Sequence, residues 1–194
     1  MNGEAAFAKL MADYEFQTVL DLGCGLGTAA IRFGKAGKSV SAINLTARSD
    51  YLEKAIVANY MTTQFAAHDL VWCSHVLEHQ LNPYSFLNKI HWQQQPGQIL
   101  ALVVPGKRRD VVNGHVILWN AGTLLYFLAV SGFDCSRANV LHDSQDLSII
   151  CRRAPGPRYL HEVTPVPPID QVAHLMPEPC RESGFSDEIQ RWNW

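Results

Sequence analysis

The chain of 194 residues lacks any apolar run approaching the roughly eighteen residues that a membrane-spanning helix requires. Charge of one sign is also missing: 16 Lys and Arg stand against 18 Asp and Glu, and no basic block is longer than Lys107-Arg108-Arg109. A broad electrostatic footprint for nucleic acid is thereby excluded, and small or weakly charged ligands fit better. Cysteine is sparse and unordered. Cys24, Cys73, Cys135, Cys151 and Cys180 are odd in number, widely spaced and never form C-x-x-C, which argues against a disulfide framework or a zinc ribbon and for reduced thiols. The first residues, MNGEAAFAKLMADYEF, have no basic region before an apolar one, so no secretory signal is expected and a cytoplasmic location is. There is no internal repeat.

What remains is a chain with 47% hydrophobic residues, enough for one sizeable core. The first dozen residues read as an amphipathic helix. Gln17 to Leu22 is a compact apolar strand, and TAAIRFGKAG has helical spacing that closes at Gly37. Ser39 to Ile43 is a second strand, followed by a short helix near Tyr51 to Ala55 and a third strand around Ile56 to Ala58. Asp69 to Cys73 is a fourth strand, and PYSFLNKIHWQQ is a helix with Pro83 in its first turn. GQILALVVP is a long fifth strand, Ala121 to Val130 a helix ended by Ser131-Gly132, and DCSRANVL and DLSIICRR supply two more strands. Near-continuous apolar strands alternating with helices predict an α/β fold: a Rossmann-like, mostly parallel seven-stranded sheet covered by helices on both faces. The core should end near Arg153, giving a domain over 1–153 and a Pro-rich tail over 154–194, where seven of the ten prolines fall. Trp192 and Trp194 are the residues with which that tail would anchor itself or meet a partner. Trp72 and the run Leu124 to Leu128 read as core.

Two motifs carry chemistry. After the first strand, DLGCGLG supplies a turn whose glycines permit positive φ and let a ligand approach backbone amides at a helix N-terminus. A dinucleotide fingerprint needs G-x-G-x-x-G, but here the third glycine comes early, at Gly27, and Thr28 stands in its place, which disfavours an NAD(P)-dependent oxidoreductase. The second motif, HVLEH over residues 75–79, has the H-x-x-E-H spacing of a zinc peptidase helix. Five polar letters recur by chance, and although His115 would be available as a third ligand, no second motif supports a metal.

Asp21-x-Gly23-x-Gly25-x-Gly27 resembles the first motif of class I S-adenosylmethionine-dependent methyltransferases of the small-molecule type. The resemblance extends through HDLVWCSHVLEHQLNPYSFLNKIHWQQQPGQILALVVP and NGHVILWNAGTLLYFLAVSGFD, covering roughly residues 17–153 in the family's order. It implies S-adenosyl-L-methionine as cofactor and methyl transfer to a small molecule or sugar. Gly23, Cys24, Gly25 and Gly27 would hold its methionine part, Asn44 the ribose and Asn59 the adenine, with Asp21 and Ser74 as further cofactor-binding residues. The family usually places acids at the positions of Asn44 and Asn59. An amide offers one acceptor oxygen where a carboxylate offers two, so a carboxylate at residue 44 should hold both ribose hydroxyls better. Asp50 substitutes for the missing acid or caps the short helix. The resemblance also makes HVLEH a cleft wall, with no metal expected. His75, His79 and His115 are the candidate base or substrate contacts, because they follow strands four and five, where open α/β sheets bind ligands. His68, His91, His142, His161 and His174 are assigned to the surface or loops; Arg108 and Arg109 either clamp an anionic substrate or are a solvated charge run. The two asparagines motivate an alternative, a non-catalytic or cofactor-poor binding module that keeps the fold. Oligomeric state is not readable.

Overall fold

A computed structural model describes residues 2–47, 53–106, 114–155, 168–182, 184–185 and 189–194. Its strands are β1 (Thr18–Leu22), β2 (Ser39–Asn44), β3 (Ile56–Val57), β4 (Leu70–Ser74), β5 (Ile99–Pro105), β6 (Phe133–His142), β7 (Asp146–Arg153) and β8 (Arg191–Trp192). The helices are α1 (Glu4–Asp13), α2 (Thr28–Lys35), α3 (Pro83–Gln93), α4 (Ala121–Val130) and α5 (Ile169–Val172). The strands form one sheet in the order β3-β2-β1-β4-β5-β7-β6-β8. From β3 to β5 every pairing is parallel, and from β5 to β8 every pairing is antiparallel.

The apolar strands are continuous because both their faces are covered. On β4 and β5, Leu70, Trp72, Ile99, Ala101 and Val103 pack with Phe7 and Leu10 of α1 and Phe33 of α2. The residues between them, Val71, Cys73, Leu100, Leu102 and Val104, pack with Leu87 and Ile90 of α3 and Leu124 and Leu128 of α4. This period of two, doubled onto opposite faces, is what a parallel sheet between helical layers demands. The helix ends follow local chemistry. Asn82 accepts a hydrogen bond from the Ser85 amide ahead of Pro83, and Asn120 and Thr123 form a reciprocal capping box at the start of α4.

Two expectations change. The sheet has eight strands rather than seven, because Arg191–Trp192 pairs with Val140 and Leu141 on the otherwise open edge of β6. His91 is core, not surface: it sits on the inner face of α3 at 1% exposure with its ring edge-on to Phe133. HVLEH follows β4 as a loop: His75 has left-handed backbone (φ 57°) and only Leu77–His79 form a single 3-10 turn. Of the short helix expected at 51–55, residues 51–52 lie outside the described residues, while Glu53 and Lys54 form a turn. Asp50, Arg108, Arg109 and His161 lie outside them as well.

The segment after Arg153 contributes to the core: Val172, Leu175, Met176 and Cys180 are buried in the same cluster as α3 and α4. Truncation after Ala154 should therefore cost about 3 kcal/mol or more of stability, at about 1.5 kcal/mol for each larger side chain exposed, less the ordering entropy recovered. Urea denaturation of the shortened chain beside the full chain measures this; an unchanged midpoint would show that the segment contributes nothing to folding.

Candidate active site

Sheet order reverses between β1 and β4, since the chain leaves β1 toward β2 on one side and returns to β4 on the other. Ligands of open α/β folds bind outside the carboxyl ends of the strands at such a point. Both chemical motifs of the sequence leave the sheet there.

Beyond β1, the Gly23 and Cys24 amides both donate to the Ile43 carbonyl, and the Gly27 amide donates to the Cys24 carbonyl before α2 begins. Gly23, Gly25 and Gly27 all have positive φ, at 72°, 51° and 76°. Two of these glycines are required for different reasons. A Cβ on Gly23 would lie 2.4 Å from Cγ2 of Val76 in the loop after β4, whereas a Cβ on Gly25 would meet nothing within 4 Å. Gly23 is thus needed for packing between the two loops, and Gly25 leaves an open cradle above backbone. Beneath the turn lies Asp21, 2% exposed, with Oδ2 accepting no hydrogen bond from the described residues. Burial pushes its carboxyl up to about 7, offset in part by the Ala30 amide at the start of α2. Cys24 is half-buried, and burial pushes its thiol up to about 11, so it remains protonated at neutral pH.

Asn44, at the end of β2, is 5% exposed, and its side chain is turned into the glycine turn. Oδ1 accepts from the Gly25 amide at 2.9 Å and Nδ2 donates to the Gly25 carbonyl at 3.4 Å. Asn59 accepts from the Met61 amide and, with Gly23, Ile43, Leu45 and Val76, lines a narrow cleft of about 110 Å³. Ser74 is half-buried at the end of β4, opposite Val103.

The three histidines come together around a residue absent from the candidate set. Glu78 is 1% exposed, and neither of its carboxylate oxygens accepts a hydrogen bond from the described residues; burial raises its carboxyl above the ordinary range. His75 Nδ1 stands 3.4 Å from Glu78 Oε1, while its Nε2 is 2.8 Å from Oδ1 of Asp146 at the start of β7. The other Asp146 oxygen accepts the Gly3 amide at 2.8 Å, so one carboxylate ties the entry of α1 to the loop after β4. His79 Nδ1 lies 2.6 Å from the Gly114 carbonyl. A carbonyl only accepts, which makes Nδ1 the protonated nitrogen and leaves Nε2 of the neutral ring with a lone pair. That Nε2 is 4.0 Å from Glu78 Oε1, and the His115 ring is edge-on to His79 with centroids 4.9 Å apart. The Val116 amide donates to the Glu78 carbonyl and holds the two segments together. Glu78 was visible within HVLEH; Asp146 carried no signal beyond being an acid before a strand.

An α/β sheet with a glycine turn and a polar cluster at its switch point is an arrangement with which open α/β folds bind nucleotides or cofactors, and the comparisons give the family. The chain belongs to the methyltransferase domain family, whose model matches residues 4–146. A curated relative, the ubiquinone biosynthesis O-methyltransferase of Hydrogenovibrio crunogenus (strain DSM 25203 / XCL-2), is 30% identical over 105 residues. That match covers 47% of this chain and 44% of the relative, so the chain spans less than half the relative's length. The fold is shared with Burkholderia thailandensis 1,6-didemethyltoxoflavin-N1-methyltransferase, solved with bound 1,6-didemethyltoxoflavin and S-adenosylhomocysteine (TM-score 0.65, 18% identity, 78% of this chain and 77% of that one). It is shared equally with the (4+2)-cyclase SpnF (TM-score 0.64, 16% identity, 78% and 80%).

Two measurements probe the glycine turn. Gly25→Ala should fold with a modest loss, about 1 kcal/mol for a non-glycine residue at φ 51°, yet lose most of its affinity for S-adenosylhomocysteine; Gly23→Ala should lose stability outright through its clash with Val76. Equal affinity of Gly25→Ala and the parent in calorimetry would show that the turn holds no ligand. For Asp21, the folded state retains a proton that the unfolded chain releases near 3.8, so stability is greatest below about pH 4 and falls as pH rises toward 7. Asp21→Asn removes that titration without changing size. Its melting temperature relative to the parent should rise between pH 4 and 8 by at least about 3 °C, on the order of 1 kcal/mol for a chain of this length. A pH-independent difference would mean that the carboxyl is ionised throughout.

Proposed function

We propose that this domain is an S-adenosylmethionine-dependent methyltransferase acting on a small molecule or sugar. The observation that carries the proposal is the open backbone at Gly25 together with the buried Asp21 carboxyl at the end of the same strand, whose Oδ2 has no hydrogen-bond partner among the described residues. These features fit the cofactor: a cradle without side chains suits its amino-acid part, and an unpartnered carboxylate oxygen suits its ammonium group. Gly23, Cys24, Gly25 and Gly27 would supply backbone, with Asn59 and Ser74 beside it. When bound, the cofactor supplies an electrophilic methyl group on a sulfonium.

The chain's own residues then have to orient the acceptor, exclude water and accommodate a proton from a hydroxyl or amine. Val76 packs the loop after β4 against the glycine turn at Gly23, which supports a histidine cluster that works beside the cofactor. His75 is a positioning residue in this reading, since one ring nitrogen is bonded to Asp146 and the other faces Glu78. Its left-handed backbone stores about 1 to 3 kcal/mol of strain, which the Asp146 bond and the His75 amide's bond to the Val103 carbonyl hold in place. His79 presents its Nε2 lone pair to the acceptor side, with His115 beside it.

A second reading has specific support. The Asn44 amide is committed to Gly25, and the cleft beside Asn59 is narrower than the roughly 300 to 1,000 Å³ typical of ligand cavities, as a cofactor-poor binding module would have. Thermal denaturation separates the readings. S-adenosylhomocysteine at one hundred times its dissociation constant should add about 2.7 kcal/mol, and NADH nothing. No shift with S-adenosylhomocysteine favours the binding module, and a shift with NADH alone would instead make the domain an oxidoreductase.

A further inference from the structure

We propose that Glu78, His79 and His115 form a binding site for one divalent transition-metal cation, built on the loop after β4 and the segment before α4. The proposal deepens the methyltransferase reading by naming what occupies the histidine cluster, and it reverses the expectation that HVLEH holds no metal.

The ligand atoms of the three residues all lie within 4.8 Å of one another. Their arrangement brings potential ligand atoms to one space. His79 Nδ1 must carry the ring proton, because it faces the Gly114 carbonyl at 2.6 Å. In the neutral ring, Nε2 then keeps its lone pair, 4.0 Å from a Glu78 carboxylate oxygen. Glu78 is nine-tenths buried and more, with no hydrogen bond to either oxygen from the described residues. Buried carboxylates in that condition take up a proton, pair with a cation or coordinate a metal, and two imidazoles beside this one supply the remaining ligands for the last of these.

The outer supports are those of a metal site. The Gly114 carbonyl fixes the His79 tautomer, Val116 holds the Glu78 backbone, and His75, tied to Asp146, flanks the carboxylate. Ligands around one ion at about 2.1 Å stand about 3.4 Å apart, so closing the cluster takes side-chain movements of about an ångström. Two imidazoles and one carboxylate select zinc-like ions over magnesium, which prefers oxygen. Three protein ligands leave a coordination position open for an oxygen of the acceptor, whose proton would pass to water once the cation lowers its pKa.

The test uses the full chain stripped with chelator and titrated calorimetrically with Zn²⁺ and, separately, Mg²⁺, with metal analysis after gel filtration. One Zn²⁺ per chain is expected, with at least about tenfold weaker binding of Mg²⁺. His115→Ala and His79→Ala should each weaken Zn²⁺ binding at least about tenfold, whereas His174→Ala should not. His115 is partly exposed, so its variant tests the site even where Glu78→Gln fails to fold. No stoichiometric Zn²⁺, or binding unchanged in both histidine variants, overturns the proposal. Thermal shifts with S-adenosylhomocysteine on the same chelator-stripped samples report the cofactor site independently, so loss of one reading is distinguishable from loss of the other.

Discussion

The contact between Gly23 and Val76 is the constraint on which the arrangement of the site depends. Two loops leave neighbouring parallel strands at the point where sheet order reverses, and they can approach only because one of them has no side chain at the contact. A methyl group there would force them apart. With the contact made, the turn after β1 and the histidine-bearing loop after β4 become one continuous wall, and anything lying on the first is beside the second. Val76 in turn sits between His75, whose backbone is left-handed, and the 3-10 turn that carries Glu78 and His79.

That second loop is fixed from behind by groups remote in sequence. Asp146 joins His75 and the Gly3 amide, so the start of the antiparallel part of the sheet holds both the first helix and the cleft wall. Gly114 and Val116 bind the 3-10 turn from the segment preceding α4. The glycine turn and the His75–His79 loop thus leave the parallel half of the sheet, while β7 and the segment before α4 hydrogen-bond the second of them from behind. Similar fold comparisons reach both a methyltransferase and a cyclase, so such local geometry, and not the sheet, distinguishes what the domain does.

Much of the fold was legible in the sequence because its signals are local. The end of α4 was marked by Ser131-Gly132 and β5 by an unbroken apolar run, each a cue contained within a few residues. His91 was misassigned because a lone polar residue on a helix does not reveal which face it occupies, and β8 because a two-residue strand exists only through the edge of β6. In the site, the glycine turn could be read from its spacing alone. The partners of the histidines could not: His75 and Asp146 are 71 positions apart, and Asn44 reveals in the letters neither its burial nor its bonds to Gly25. Such pairings arise from tertiary packing, to which period and propensity are blind.

Both ends of the sheet finish in strands of only two residues, Ile56–Val57 on one side and Arg191–Trp192 on the other. An edge strand offers unpaired amides and carbonyls to any extended chain it meets, and the length of that row decides how well a foreign strand can dock. Two residues provide too short a row to template sustained pairing, even though Ile56 and Val57 are apolar and about half exposed. Beyond these two residues the margins are the polar start of β2 (Ser39 to Ser41) and the first part of β6, whose register shifts between Asp134 and Asn139. In a crowded solution such short, polar or irregular margins resist lateral growth, and the continuous apolar strands β4 and β5 stay paired on both sides.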